Sequence, residues 1–171
     1  MTKRAEPITF ITNPNPQQLE AAADLVDEGI ERKRPLKRNR FRKARVIVLV
    51  LNDRGQVVGE GAVMKSKGSV AEIGAVVHPD YRAQGTAKRV LQILLQEAMK
   101  QDIALLYARV RPTNVAAIRL VKRANFQFWG DYVKTNTTFS WFYLPLSTNI
   151  NAEEIMRQKT ANRTRVGLAA D

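Results

Sequence analysis

Apolar and polar positions alternate along this chain with two distinct periods. Residues 8–11 (ITFI) form a short apolar run that predicts a first strand. PQQLEAAADLVDEGI then places Leu19, Ala22, Ala23, Val26 and Ile30 at helical spacing. VIVLVLNDRGQVVGEGAVM predicts a hairpin, because Asn52, Asp53 and Gly55 are turn formers between two β-branched runs. SVAEIGAVVHP adds a third strand to that group, stopped by Pro79. Over residues 86–101 the apolar positions Ala87, Val90, Leu91, Leu94, Leu95 and Ala98 recur at intervals of three and four, which predicts a helix lying on a sheet. ALLYARV reads as a buried strand, residues 114–124 as a helix, and QFWGDYV with TTFSWFYLPL as a final strand pair. A meander followed by strand, helix, strand and helix predicts a mixed sheet covered by helices. INAEEIMRQ predicts one more helix, after which the tail is expected to fray.

The 171 residues and 44% hydrophobic content suit one domain with a single core. The expected organisation is a domain over residues 1–150 with a basic insertion at 31–45, then a C-terminal helix and tail over 151–171. Cysteine is absent, which excludes a disulfide framework, a thiolate nucleophile and a thiolate zinc site. His78 is the one histidine, and no carboxylate cluster suggests a metal, so none is expected. MTKRAEPITF lacks the apolar region of a leader, and the longest apolar run, residues 46–51, is too short to span a bilayer. A cytoplasmic protein without membrane contact is expected.

Charge adds a further clue. The formal net charge is +12, and ERKRPLKRNRFRKAR holds nine bases against the single acid Glu31, a local +8. Such a segment attracts anions without saying which. Arg38, Arg40 and Arg42 are its candidate contacts to RNA, a ribosome or an acidic protein. Phe41 is the one aromatic residue interleaved there, which points to phosphate tracking over base stacking. A merely solvated basic face is the alternative.

HPDYRAQGTAKRVLQILLQEAM joins a polar turn to an amphipathic helix through one glycine. The first amides of a helix lack intrahelical partners and carry about half a positive charge between them. Gly85 lets backbone approach closely, Ala87 leaves room, and Arg82 and Lys88 add cations. A pyrophosphate fits such a corner, although a plain strand-turn-helix connection would show the same pattern.

IGAVVHPDYRAQGTAKRVL resembles the acyl-CoA-binding segment of the GNAT superfamily of N-acetyltransferases, and RVRPTNVAAIRLVKRANF resembles the segment that follows it there. Together with the strand between them they cover residues 69–126, and within the superfamily this stretch resembles the ribosomal-protein N-terminal acetyltransferases. The resemblance implies an α/β (α+β) fold, a GNAT-like mixed, mainly antiparallel twisted sheet of about six to seven strands with flanking helices. It implies acetyl-CoA as cofactor, with Ala75, Val76 and Val77 offering backbone to the pantetheine and Arg82, Ala83, Gln84, Gly85, Thr86, Ala87 and Lys88 cradling the pyrophosphate. Asn114 takes the place of a family asparagine that touches the cofactor; as a favourable N-cap it has a structural role open to it too.

The reaction so implied is direct aminolysis of a thioester by a bound amine, with a strand amide at Val76 or Val77 polarising the carbonyl. An α-amino group, with a pKa near ~8, is about a tenth neutral at pH 7, whereas a lysine needs far more help. In the ribosomal-protein N-terminal acetyltransferases a strand glutamate relays the amine proton and a helix tyrosine protonates the thiolate; the resemblance puts Arg109 and Val121 in those places. Arginine stays protonated and valine has no proton to give. Candidate substitutes are Glu72 as a base through water and Tyr132 or Tyr143 as acids; His78, before Pro79, reads as a turn residue. Arg109 is a candidate contact for an acidic acceptor. Two functions stay open: an acetyltransferase acting on an amine of a macromolecule, or a catalytically weak or inactive relative that binds RNA or a ribosome. An exposed edge in the last two strands is compatible with a homodimer.

Overall fold

A computed structural model of the chain describes residues 7–30 and 40–167. The elements run β1 (Ile8–Ile11), α1 (Pro16–Ile30), β2 (Ala44–Asn52), β3 (Val57–Lys65), β4 (Val70–Val77), α2 (Thr86–Ala98), β5 (Leu105–Val110), α3 (Val115–Arg123), β6 (Gln127–Lys134), β7 (Thr137–Pro145), α4 (Ala152–Thr160) and β8 (Thr164–Arg165). Hydrogen-bonded neighbours follow the order β1-β2-β3-β4-β5-β7-β6-β8, so the described residues hold an 8-stranded sheet, one strand beyond the expected range. The added strand is β8. Instead of fraying after α4, the chain pairs Thr164 and Arg165 with Val133 and Tyr132 of β6, and Val166 N donates to Asp131 O at 2.8 Å. Unpaired amides and carbonyls along a strand edge invite such cover. The edge expected on the last two strands is correspondingly covered at those positions.

The contacts divide the chain into two compact units, Met1–Lys65 with Ile73–Asp102, and Ser66–Glu72 with Ile103–Asp171. In the first, β1 and β2 pair antiparallel from Ile8↔Asn52 to Ile11↔Leu49. The β2–β3 hairpin closes where Asn52 Oδ1 accepts from the amides of Arg54 and Gln56. Successive strand residues face opposite sides, and β3 shows this sharply. Ala62 packs with Ala22, Ala23 and Val26 of α1. A Cβ added to Gly61, its neighbour, would lie 2.3 Å from Val90 Cγ1 and 2.8 Å from Leu94 Cδ1 of α2. Glycine at 61 is what allows α2 to lie directly on the strand.

The second unit is built on the parallel pairs Val70↔Leu105, Ala71↔Leu106 and Glu72↔Tyr107. β5 then pairs antiparallel with β7, and β7 with β6, where a bulge between Phe128 and Gly130 shifts the register. Leu105, Tyr107, Trp141 and Tyr143 share one buried cluster with Met156, by which α4 is anchored.

Candidate functional site

β4 continues beyond its last pair with β5, and there Gly74 and Ala75 are exposed, Val76 half-buried and Val77 buried. Pro79 ends the strand and opens a single 3-10 turn, Pro79–Tyr81, in which His78 Nδ1 accepts from Asp80 N at 3.3 Å. Tyr81 is buried, its hydroxyl accepting from Asn52 Nδ2 at 3.3 Å. That anchors the turn to the hairpin. Arg82 Nε donates to Val77 O at 2.8 Å, which ties an exposed guanidinium to the end of β4.

Two left-handed residues, Ala83 with φ of 59° and Gly85 with φ of 81°, then bend the chain into α2. Gly85 is the N-cap and offers no side chain to the first amides. Thr86 turns its hydroxyl inward, donating to Tyr81 O at 3.0 Å. The first helical bond runs from Arg89 N to Gly85 O, so the amides of Thr86, Ala87 and Lys88 precede the ladder. A Cβ added at Gly85 would meet nothing within 4 Å, so this side of the helix start is open. Amides before the ladder, the positive end of the dipole and the exposed cations Arg82 and Lys88 suit an anion. Ala75, Val76, Val77 and all residues from 82 to 88 thus lie within one unit.

Asn114 belongs to the other unit. There it is the N-cap of α3, with Oδ1 accepting from Ala117 N at 3.1 Å. Asn114→Ala is expected to cost about 1 kcal/mol of stability in urea unfolding, the usual worth of a capping side chain.

Glu72 sits in a dense charged cluster of that same unit. Both its oxygens engage Arg109, from Nε at 2.8 Å and Nη2 at 2.9 Å, and the Tyr107 hydroxyl donates to it at 3.3 Å. Trp141 stacks on Tyr107 with centroids 5.4 Å apart and planes at 12°. The Arg163 guanidinium lies 4.6 Å from the Trp141 centroid, and Arg109 lies 5.6 Å from it and 5.8 Å from that of Phe139. Lys159 Nζ is 5.2 Å from the Tyr107 ring and hydrogen-bonds Ser66. Burial pushes the Tyr107 hydroxyl up, and the Glu72 charge acts in the same sense. Burial pulls the Lys159 ammonium down, Glu72 opposes this, and the positive charges of Arg163, Arg109 and Lys67 add to it. Arg163 is lowered by burial and then by Arg109.

The two candidate acids, Tyr132 and Tyr143, belong to the same buried cluster as Tyr107 and Trp141. Tyr132 is buried edge-on to Trp141, with centroids 6.4 Å apart. Tyr143 donates to Gln127 Oε1 at 2.7 Å, and burial followed by the Glu153 charge pushes its hydroxyl up. The sequence pattern does not single out Tyr107, Trp141, Lys159 or Arg163. Tyr107 carries a signal, since residues two apart on a strand share a face and Arg109 is a candidate contact. Lys159 and Arg163 carry none.

Arg38 lies outside the described residues, as do the side chains of Arg40 and Arg42. The backbone of Arg40–Lys43 forms a 3-10 turn, and Phe41 is buried against the α1 core, so it is a core residue and offers no stacking surface. Among the described residues no group of three or more His, Asp or Glu side chains could hold a metal, and no helix is long and apolar enough to cross a membrane.

Residues 14–126 match the family model described as acetyltransferase (GNAT) family. Over 50 residues the chain is 40% identical to the ribosomal protein bS18-alanine N-acetyltransferase of Escherichia coli strain K12, covering 29% of this chain and 34% of that relative. The match therefore spans about a third of the relative's length. Among solved structures, the ribosomal-protein-S18-alanine N-acetyltransferase of Escherichia coli superposes with a TM-score of 0.65 at 21% identity, over 85% of this chain and 98% of that one. A phosphinothricin acetyltransferase from Sinorhizobium meliloti, solved in complex with AcCoA, gives a TM-score of 0.70 at 15% identity, over 85% and 96%. At these identities the structural likeness speaks for the fold.

Proposed function

The chain belongs to the GNAT acetyltransferase family, and on that premise we propose that it is an acetyl-CoA-dependent N-acetyltransferase acting on an amine of a macromolecular acceptor. The observation that carries this is the open corner at the start of α2. Ala83 and Gly85 bend the backbone, Arg82 is tied to β4, and the amides of Thr86, Ala87 and Lys88 precede the helical ladder. That donor set fits a diphosphate, and the space beside Gly85 leaves room for one. The family relative solved with AcCoA supports the same ligand.

In this proposal Arg82, the amides at 86–88 and Lys88 hold the diphosphate, and Ala75, Val76 and Val77 align the pantetheine. The coenzyme supplies the acyl thioester when bound. Successive strand amides point to opposite edges; His78 N donates to Val58 O of β3 at 2.9 Å, so the Val77 amide points away from β3. It is the amide placed to polarise an acyl carbonyl on that edge.

With Arg109 in the usual base position and Val121 in the usual acid position, proton handling falls to Glu72, with Tyr143 or Tyr132 for the departing thiolate. An α-amine, partly neutral at pH 7, makes the least demand on such a site. The curated relative, named for an alanine of a ribosomal protein, supports a protein α-amine as acceptor. The alternative, a weak or inactive family member that binds RNA or a ribosome, draws support from one observation, that both Glu72 oxygens are taken up by Arg109.

Incubating a lysate with the protein and isotope-labelled acetyl-CoA, then mapping the label by mass spectrometry, separates the two. Label on α-amines with matching release of coenzyme A is the expected result. Absence of amine-dependent release would sink the transferase proposal.

A further inference from the structure

The cluster around Glu72 is out of electrostatic balance. Arg109 pairs with Glu72, Lys159 lies on the Tyr107 ring and Arg163 on the Trp141 ring, so among the described residues three cations share one carboxylate, and Lys67 adds to the same positive field. Like charges held at the edge of an aromatic layer, partly withdrawn from water, repel one another more strongly than in bulk solvent. A bound anion relieves that repulsion. The side chains also retain capacity for a ligand. Glu72 takes Nε and Nη2 of Arg109, and Lys159 O takes a bond from Nη1 of Arg163, which among the described residues leaves further N–H groups on both guanidiniums. Trp141, the floor under both, is buried, and its Nε1–H has no acceptor among the described residues.

The rings here are occupied by cations. Trp141 has Tyr107 and Arg163 against it, and Tyr107 has Lys159. A nucleobase would have no open face on which to stack, so the chemistry favours a compact oxyanion over an RNA strand. Arginine forks match a carboxylate in two-point contact. Glu72 also lies on β4, three residues before Ala75 in the same strand.

We propose that Arg109, Lys159 and Arg163 form an oxyanion-recognition site, and that the amine acceptor is the N-terminus of an acidic peptide whose carboxylate this site holds. The acceptor half of this statement rests on the transferase reading above; the anion site does not. Glu72 then acts as a built-in competitor that keeps Arg109 in place until the acceptor carboxylate takes over part of its hydrogen bonding.

The test titrates the full chain, without coenzyme and at constant ionic strength, following tryptophan fluorescence. The probes are a peptide beginning Ala-Asp-Asp, its amide counterpart beginning Ala-Asn-Asn, and a short RNA. The acidic peptide is expected to bind saturably and at least about ten-fold more tightly than its amide counterpart, the worth of one charge-assisted hydrogen bond. Arg163→Gln and Lys159→Gln should each weaken it by about ten-fold, with Arg163→Lys recovering part of the loss. Glu72→Gln should strengthen it several-fold, a gain that a merely structural role would not produce.

Equal affinity for the two peptides overturns the inference. So does an Arg163→Gln variant of unchanged melting temperature that binds as well as the wild type, and so does RNA binding through these residues without peptide binding. Coenzyme binding and amine-dependent release are scored separately. A failed transferase reading therefore shows as lost turnover with peptide discrimination intact, and a failed anion site as the reverse.

Discussion

Gly85→Val is expected to lower the affinity for acetyl-CoA by about 10²-fold, measured by isothermal titration. Two effects act in the same direction. Position 85 has a φ of 81°, in the left-handed region where a β-branched residue costs about 1–3 kcal/mol. Either the chain keeps that conformation under strain, or it relaxes and turns the amides of Thr86, Ala87 and Lys88 away from their common focus. The added side chain also projects into the space that is open beside the glycine, where the proposed diphosphate would sit. Hydrogen bonds to charged groups are worth about 1.5–3 kcal/mol each, so losing two at the lower end of that range gives roughly the hundred-fold stated. Gly85→Ala should fall between, since it adds strain with little bulk. If the glycine served only the turn, valine would lower the melting temperature and leave coenzyme affinity unchanged, which would count against the proposed site.

Much of this corner was legible in the sequence because its determinants are local. Pro79 ends a strand, a glycine precedes an amphipathic run, and Thr86 begins a helix; each acts over a few residues. What sequence spacing could not convey was that Ala83 shares the left-handed geometry of Gly85, or that Arg82 folds back onto Val77. The hairpin at Asn52 was visible for the same local reason.

The charged cluster is the opposite case. Glu72 meets Arg109 because β4 and β5 pair in parallel with Glu72 opposite Tyr107, and the period of two then brings Arg109 onto the same face. A parallel register joining positions 35 residues apart leaves no mark on either segment. Lys159 and Arg163 join only because α4 packs through Met156 onto the sheet and the following residues extend it as β8. A short polar helix followed by TANRTRVG looks, residue by residue, like a tail. Phe41 misleads in a similar way, since its basic neighbours suggest exposure and its burial comes from α1.

Trp141→Ala is expected to remove about 3–5 kcal/mol of stability in urea unfolding, the range for truncating a large buried aromatic residue. The side chain is 2% exposed and among the largest fully buried ones described. It stacks on Tyr107, meets the edge of Tyr132 and carries two guanidiniums on its face, so its loss opens a cavity and strips Arg109 and Arg163 of their floor. Each cation over an aromatic ring adds about 0.5–1 kcal/mol where partly exposed. Trp141→Phe separates these contributions. It keeps a ring under the cations and discards the buried Nε1–H, which has no acceptor among the described residues; a buried donor left so costs about 1–3 kcal/mol. That relief should offset much of the lost volume, leaving the phenylalanine variant within about 1.5 kcal/mol of wild type. Were phenylalanine as damaging as alanine, the indole N–H would have to be satisfied in the native protein, and the ring's role would rest on a hydrogen bond in place of packing beneath the cations.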